Sequence, residues 1–288
     1  MFVRSNFSEK RCVYSVEVFP PKKVANWENF QKTLRKIKTT APAFISVTCG
    51  AGGSGTEGVP TSQAAAFIKN ELGIEPLTHV TCVSYGRDEI DGYLDGLYNS
   101  GIRNIMCLRG DLNPELPKRK DFRHASDLVA HIQKTFGRFG LSGACYPEHH
   151  PESETLREDV ENLLIKQEAG ASHLVSQLFF DNYYYYRFAS LARKVGVTLP
   201  ISVGVMPIVK KVHIANVVNL SGATIPPKFA TLLDRWQDDP DGLKKAGTDY
   251  AIEQCRDLIE AGVDGIHIYA MNNSEVTLNI YEGIKDLL

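Results

Sequence analysis

The sequence has no excess of charge of either sign. Its 288 residues include 32 lysines and arginines and 34 aspartates and glutamates, which gives a formal net charge of -2. A protein that binds a phosphate backbone carries a basic stripe or arm, and this sequence contains neither. We therefore expect no nucleic-acid partner.

Long apolar runs are also absent. A helix that spans a bilayer needs about 18 or more consecutive apolar residues, and no such run occurs here. The N-terminal stretch MFVRSNFSEKRC lacks the apolar core of a secretory signal. Together these absences predict a cytoplasmic protein with no membrane partner.

The cysteines show no metal or redox spacing. None of the six forms a C-x-x-C pair. Five of them fall in predicted strands, where a cysteine usually serves as a small buried apolar residue. His149 and His150, next to Glu148, are another candidate for metal binding, but neighbouring residues of an extended chain point to opposite sides. We predict neither a disulfide nor a metal site.

What the sequence does contain is a regular alternation of short apolar runs with longer amphipathic runs. The short runs predict strands at residues 12–19, 44–50, 77–83, 104–110, 142–147, 173–180, 201–206 and 265–271. The amphipathic runs predict helices at residues 27–39, 61–72, 88–100, 126–136, 154–169, 183–195, 212–220, 248–261 and 275–288, with an added helix at 226–236.

This alternation decides the expected fold. Strands that are apolar along their whole length are typical of a parallel sheet covered by helices. Eight strand–helix units without a flexible linker predict an α/β protein, a closed (β/α)8 TIM barrel formed by residues 1–288 as a single domain. The alternative is an open doubly wound sheet. It is disfavoured because Pro20 and Pro21 follow the first strand, where a G-x-G-x-x-G turn is expected.

Polar residues cluster where the predicted strands end. In such a barrel the working groups lie at the C-terminal ends of the strands and in the loops that follow. We therefore expect one mouth to collect most of the chemistry. The residues at these ends are Glu17, Thr48, His79, Arg109, Gly110, Asp111, Tyr146, Glu148, His150, Gln177, Asp181 and Tyr269.

Glu17 stands out because it interrupts the apolar run SVEVFPPK. Apolar neighbours disfavour the charged form of a carboxyl group and raise its pKa, so Glu17 is a candidate general acid. The alternative is a carboxylate inside the barrel that pairs with an arginine. His79 has a similar choice between a catalytic histidine and a core histidine with satisfied hydrogen bonds.

Several motifs follow one another along nearly the whole chain, among them SVEVFPPK, SVTCGAGG, GIRNIMCLRGDLNP, YPEHHPE, SQLFFD and IHIYAMN. In this order they resemble the motifs of the 5,10-methylenetetrahydrofolate reductases, the flavin-dependent (β/α)8 enzymes of one-carbon metabolism. The resemblance implies the same barrel. It also implies a homo-oligomer, although no local pattern specifies its symmetry.

The resemblance implies a role for each matching residue. Glu17 matches the catalytic glutamate, the proposed acid that opens the imidazolidine ring of methylenetetrahydrofolate. Asp111 matches a catalytic aspartate between the flavin and the pterin, and Gln177 matches a glutamine that contacts folate and nicotinamide in turn. Thr48 matches a residue beside the nicotinamide. The positions that match FAD contacts are Cys49, Ala51, His79, Arg109, Gly110, Ala125, Tyr146, His150, Asp159, Asn162 and Lys166.

The implied mechanism is ping-pong. NADH or NADPH gives a hydride to FAD and leaves, and the folate then receives that hydride to become 5-methyltetrahydrofolate. This division of labour requires a protonatable Glu17 and an ionised Asp111. Two alternatives remain open: a reductase that lacks flavin or takes electrons from a partner protein, and a non-catalytic folate-binding barrel.

The chain also departs from the family pattern. His213 stands where a glutamine usually meets the folate, and Asn273 where many members have an arginine. Val217 lies near the place of an aromatic residue that packs on the nicotinamide dinucleotide. With Tyr269, the residues His213 and Asn273 complete the predicted substrate-binding set.

Overall fold

The computed structural model describes residues 1–9, 11–49, 58–111, 121–210, 214 and 222–288. Three residues of the predicted site, Ala51, His213 and Val217, lie outside the described residues. So does the helix predicted at 212–220, apart from Ile214.

Eight parallel strands close into one barrel in the order of the chain. The predicted (β/α)8 barrel is therefore confirmed, and the open doubly wound sheet is wrong. Each predicted strand is present, but each ends one or more residues earlier than predicted. The strands are β1 Val13–Val18, β2 Phe44–Val47, β3 Glu75–Thr81, β4 Asn104–Leu108, β5 Gly140–Cys145, β6 His173–Ser176, β7 Ile201–Val205 and β8 Gly265–Tyr269.

Helices cover the outside of the barrel. The helix predicted at 248–261 begins at Pro240, since the side chain of Asp239 accepts a hydrogen bond from the Gly242 backbone and proline suits the first helical position. The described helices are α1 Trp27–Lys38, α2 Thr61–Asn70, α3 Arg87–Asn99, α4 Ala125–Thr135, α5 Leu156–Glu168, α6 Asn182–Val195, α7 Pro227–Arg235, α8 Pro240–Glu260 and α9 Ser274–Ile284.

A short 3-10 helix that was not predicted, Val3–Ser8, closes the barrel at the N-terminal ends of the strands. The backbone nitrogen of Val3 donates to Asn104 Oδ1 at 2.8 Å, and the Phe7 ring stacks on His173 with ring centroids 4.9 Å apart. Above this helix the lumen is packed with apolar side chains such as Phe44. Only the C-terminal ends of the strands are left as a mouth.

The described part of the chain contains no helix that is long and apolar enough to cross a membrane. Within the same residues no group of three or more histidine, cysteine, aspartate or glutamate side chains is arranged to hold a metal. The cysteine thiols are free. Only Cys107 and Cys145 lie inside strands, whereas Cys12, Cys49 and Cys82 flank them, so the placement of five cysteines in strands is partly wrong.

Candidate active site

The mouth of the barrel brings Glu17 together with two histidines. Strand β1 sets Glu17 beside Ser46 of β2 and Tyr269 of β8. Glu17 Oε2 lies 3.4 Å from His79 Nε2 and 3.8 Å from His267 Nε2, and it accepts a hydrogen bond from Ser46 Oγ at 3.1 Å. The Glu17 side chain is only 18% exposed. Its ion-pair partners among the described residues are histidines, so the predicted alternative of a paired arginine does not apply.

The pKa of Glu17 differs from the prediction. Burial alone would raise it, but the interactions with His267, His79 and Ser46 outweigh burial, and the pKa of the carboxyl lies below its ordinary value. The predicted raised pKa is therefore wrong. The prediction counted the apolar neighbours along the chain and could not include two imidazoles that arrive from β3 and β8.

His267 forms a bridge between two serines, which we call the first bridge. Its Nδ1 lies 2.8 Å from Ser15 Oγ and its Nε2 lies 3.0 Å from Ser46 Oγ. All three residues are fully buried. Sequence analysis missed this group, although Ser15 and Glu17 are two residues apart on one strand and therefore share a face.

A second bridge has the same composition. His173 Nδ1 lies 2.9 Å from Ser142 Oγ, and His173 Nε2 lies 2.9 Å from Ser202 Oγ. Burial, with smaller contributions from the nearby His267 and Arg4, lowers the pKa of His173 to about 3. This imidazole is therefore neutral at physiological pH.

The end of β1 is held in place by the loop after β8. The side-chain amide of Asn272 donates to the Phe19 carbonyl at 2.8 Å and accepts from the Phe19 backbone nitrogen at 3.1 Å. The hydroxyl of Tyr269 donates to the Ser176 carbonyl at 2.6 Å. These contacts restrain the backbone next to the acid. Asn272 is a further site residue that sequence analysis did not select.

A cavity of about 500 Å³ lies at the C-terminal ends of β4 and β5, between these strands and helix α5. Helix α5 places Asp159, Asn162 and Lys166 on one wall of the cavity, as their sequence spacing predicts. The structure thus brings together most of the positions that match FAD contacts. Those that line the cavity are Arg109, Ala125, Tyr146, His150, Asp159, Asn162 and Lys166.

Burial sets the charges inside this cavity. Lys166 Nζ donates to the Ala144 carbonyl at 2.8 Å, and burial lowers the pKa of Lys166 while Asp159 opposes that shift. Burial also raises the pKa of Asp159, against the effect of Lys166. Burial lowers the pKa of His150, which favours the neutral ring. The cavity therefore offers a buried amine with a carboxyl group nearby, and an imidazole that burial keeps neutral.

Arg109 lies at the rim and makes a two-pronged ion pair. Its Nη2 donates to Glu152 Oε1 at 2.8 Å, and its Nη1 donates to the other oxygen. Glu152 raises the pKa of Arg109, against a smaller effect of burial. The Arg109 fork has the geometry that binds a diphosphate. Glu152, which was not selected from the sequence, occupies the guanidinium group of Arg109 and would compete with a diphosphate for it.

Other predicted residues near β2 and β4 lie outside this cavity. Cys49 lines a separate cavity of about 330 Å³ with Tyr85 and Tyr93. Asp111 is exposed after β4. Gly110 has a positive φ of 86°, and a Cβ there would lie 2.9 Å from Thr81 Cβ, so the close approach of Thr81 requires glycine.

The last three predicted residues use their polar groups within the fold. Thr48 donates its backbone nitrogen to the Val18 carbonyl at 3.0 Å. Gln177 Oε1 accepts from the Leu178 nitrogen at 2.9 Å. Asn273 Oδ1 caps helix α9 by accepting from the Val276 nitrogen at 3.2 Å. Their roles toward ligands stay predictions.

Comparison with known proteins adds to this geometry. A family model described as methylenetetrahydrofolate reductase matches residues 3–285. A 5,10-methylenetetrahydrofolate reductase of Pectobacterium carotovorum subsp. carotovorum is 32% identical over 270 residues, which cover 94% of this chain and 89% of the relative. Methylenetetrahydrofolate reductase 1 of Schizosaccharomyces pombe is 31% identical over 279 residues, which cover 95% of this chain but 46% of the relative.

The chain therefore spans about half the length of the yeast relative and most of the bacterial one. Among solved structures, an uncharacterised protein from Clostridium thermocellum, described as binding two copies of 5-methyl-5,6,7,8-tetrahydrofolic acid, has a TM-score of 0.70 and 14% identity, and the match covers 100% of both chains. At this identity the likeness concerns the fold.

Proposed function

The chain belongs to the methylenetetrahydrofolate reductase family, and on that premise we propose that it reduces 5,10-methylenetetrahydrofolate to 5-methyltetrahydrofolate with FAD as its cofactor. One observation carries this proposal. Glu17 near the end of β1 and the cavity lined by the residues that match FAD contacts both lie at the C-terminal ends of the strands. An acid and a ligand-sized cavity thus share the end of the barrel where barrel enzymes carry out chemistry.

The residues of the cavity fit FAD. Lys166 and Arg109 supply positive charge for a diphosphate, and Asp159 and Asn162 supply polar groups for the remainder of a nucleotide. Tyr146 and His150, whose ring centroids are 4.7 Å apart, form an aromatic wall. FAD, when bound, would supply the hydride chemistry. The protein residues would hold and orient it.

Glu17 would act on the folate. We propose that Glu17 Oε2 delivers a proton to the leaving nitrogen of the imidazolidine ring, and this proton opens the ring. Ser46 and Asn272 keep the carboxyl in position through the contacts at the end of β1. Asp111 and Gln177 are the proposed folate contacts, together with Tyr269, Asn273 and His213.

The electron donor is proposed as NADH or NADPH, with Thr48 beside the nicotinamide. A homo-oligomeric state and a cytoplasmic location also stay predictions. A reductase fed by a partner electron-donor protein would share the same folate site. The electron donor and the folate acceptor must therefore be tested in separate steps.

The test is an absorbance spectrum of the purified protein, followed by anaerobic addition of NADH, NADPH and then methylenetetrahydrofolate. We expect a yellow protein that one nucleotide bleaches and that the folate reoxidises. A colourless protein would contradict the FAD proposal. A yellow protein that neither nucleotide bleaches would indicate another donor, and dithionite-reduced protein that the folate leaves reduced would contradict folate reduction.

A further inference from the structure

We propose that Ser46 and His267 form a proton relay behind Glu17, so that the proton delivered by Glu17 is held on a buried imidazole and reaches the carboxylate through a serine hydroxyl. The identity of the proton acceptor rests on the proposed function. The relay itself rests on the hydrogen bonds of the first bridge. Neither Ser46 nor His267 is exposed, so both are positioning residues that act through Glu17.

The hydrogen bonds of Ser15 assign one proton of His267. A serine hydroxyl has a single hydrogen to donate. We assign it to the Ile266 carbonyl, 3.1 Å away, because a carbonyl oxygen can only accept. Ser15 Oγ then accepts from His267 Nδ1 at 2.8 Å, and in this assignment His267 carries a proton on Nδ1.

The single hydroxyl hydrogen of Ser46 has two acceptors within reach, Glu17 Oε2 and His267 Nε2. When Ser46 donates to Glu17 Oε2, His267 Nε2 must donate to Ser46, which requires an imidazolium beside a carboxylate. When Ser46 donates to His267 Nε2, Glu17 must donate to Ser46, which requires a neutral imidazole beside a carboxylic acid. Both arrangements hold the same number of protons.

The passage from the first arrangement to the second moves two protons and no electrons. The Nε2–H bond of His267 breaks as its proton forms a new bond to Ser46 Oγ. The original Oγ–H bond of Ser46 breaks as its proton forms a bond to Glu17 Oε2. Both charges disappear. Glu17 then gives the Oε2 proton to the substrate nitrogen, and the solvent returns one proton to the group in each turnover.

The other ionisable groups around the relay favour this assignment. His79 from β3 and Tyr269 from β8 face Glu17, and His173 from β6 faces His267. Burial lowers the pKa of His79 and raises the pKa of Tyr269 well above its ordinary value, and His173 is neutral. Burial therefore favours the uncharged form of each of the three. Among the described residues of the lumen, the mobile proton belongs to the first bridge and Glu17.

The direct test is nitrogen NMR of protein labelled with 15N-histidine, which distinguishes an imidazolium from each neutral tautomer. In the wild type at pH 7 we expect His267 to carry protons on both nitrogens. In Glu17→Gln and in Ser46→Ala we expect it to keep only the Nδ1 proton. A His267 that has the same protonation in all three proteins would overturn the relay, whatever the protein does to folate.

The kinetic test measures how fast the folate reoxidises the reduced protein, as a function of pH. We expect His267→Gln and Ser46→Ala to slow this step roughly 100-fold and to change its pH profile, while reduction of the flavin by its donor stays at the wild-type rate. Ser46→Thr retains the hydroxyl and should restore most of the rate.

The second bridge provides the matched control, because His173→Gln changes an equally buried, serine-bridged histidine that has no carboxylate beside it in the described part of the chain. We expect this variant to keep the wild-type rate and pH profile. An equal loss of rate in His173→Gln and His267→Gln would show a purely structural effect and overturn the relay. If the wild type itself does not reduce folate, the proposed function fails, and the NMR measurement still decides the relay.

Discussion

The barrel lumen contains two bridges of the same composition with different chemistry. In each, a fully buried histidine joins two serines on other strands. His267 lies 3.8 Å from the Glu17 carboxyl, whereas the charged neighbours of His173 are His267 and Arg4, which both disfavour an imidazolium. The two bridges thus differ in their surroundings, since only the first has a carboxylate beside it among the described residues.

The strand positions two residues after the serines of the second bridge carry no carboxylate. Glu17 follows Ser15 by two residues on β1, whereas Ala144 follows Ser142 on β5 and Gly204 follows Ser202 on β7. A Cβ at Gly204 would lie 2.4 Å from the Ser176 carbonyl oxygen and 2.5 Å from Tyr269 Cε2. The Tyr269 ring occupies the space that a longer side chain would need.

The largest expected effect comes from removing the Glu17 carboxyl group, which lies beside the first bridge. Glu17→Gln keeps the shape of the side chain but cannot deliver a proton, so we expect the folate half-reaction to slow about 10²- to 10⁴-fold. Anaerobic stopped-flow spectroscopy would measure it. Reduction of the flavin should continue at the wild-type rate, and an equal loss in both half-reactions would contradict the assignment of Glu17 to the folate step.

The second prediction concerns acid stability. The pKa of His173 is lowered from 6.5 to about 3 in the folded protein. Between these values the unfolded chain binds a proton that the folded chain does not, so acidification favours unfolding. We expect this histidine to reduce the free energy of unfolding by ~1.4 kcal/mol per pH unit below 6.5, or roughly 3 kcal/mol by pH 4.5.

Urea denaturation at pH 6.5, 5.5 and 4.5 would measure this slope, with His173→Gln as the comparison. The variant is expected to start less stable and to lose less stability on acidification, so that the two curves converge. Curves that stay parallel would show that His173 gains a proton in the folded protein as easily as in the unfolded chain.

The third prediction concerns Phe44, whose ring packs against both bridging histidines. The Phe44 ring lies 5.8 Å from His267 and 5.7 Å from His173, measured between ring centroids. We expect Phe44→Leu to reduce the free energy of unfolding by about 1–2 kcal/mol through lost packing, with little change in the folate half-reaction. A large loss of rate would mean that ring packing, and not the carboxylate, sets the chemistry of the first bridge.

The smallest expected change in stability concerns Ser46 and Ser202, the serines that contact the Nε2 atoms of the two histidines. Ser46→Ala and Ser202→Ala each remove one buried hydrogen-bond partner, so we expect both to lower the free energy of unfolding by about 1 kcal/mol in urea denaturation. Only Ser46→Ala should also slow folate reduction. Equal rates in the two variants would remove the functional difference between the bridges.

The sequence predicted the architecture because its signals are local. Apolar runs such as the one around Glu17 mark each strand, and the spacing of Asp159, Asn162 and Lys166 already places them on one face of a helix. The pKa of Glu17 could not be predicted in this way, since His267 approaches it from the opposite end of the chain. The closing 3-10 helix, Val3–Ser8, was missed because its six residues are too few to show a period.

The 3-10 helix Val3–Ser8 determines where solvent can reach the barrel lumen. Val3 and the residues above it are buried, so within the described structure the barrel is closed at its floor and open at its mouth. In the proposed relay, a proton that recharges His267 would enter through the same opening as the proposed folate substrate. A folate at the mouth would then separate His267 from bulk water, so each turnover would use the single proton loaded before the folate bound.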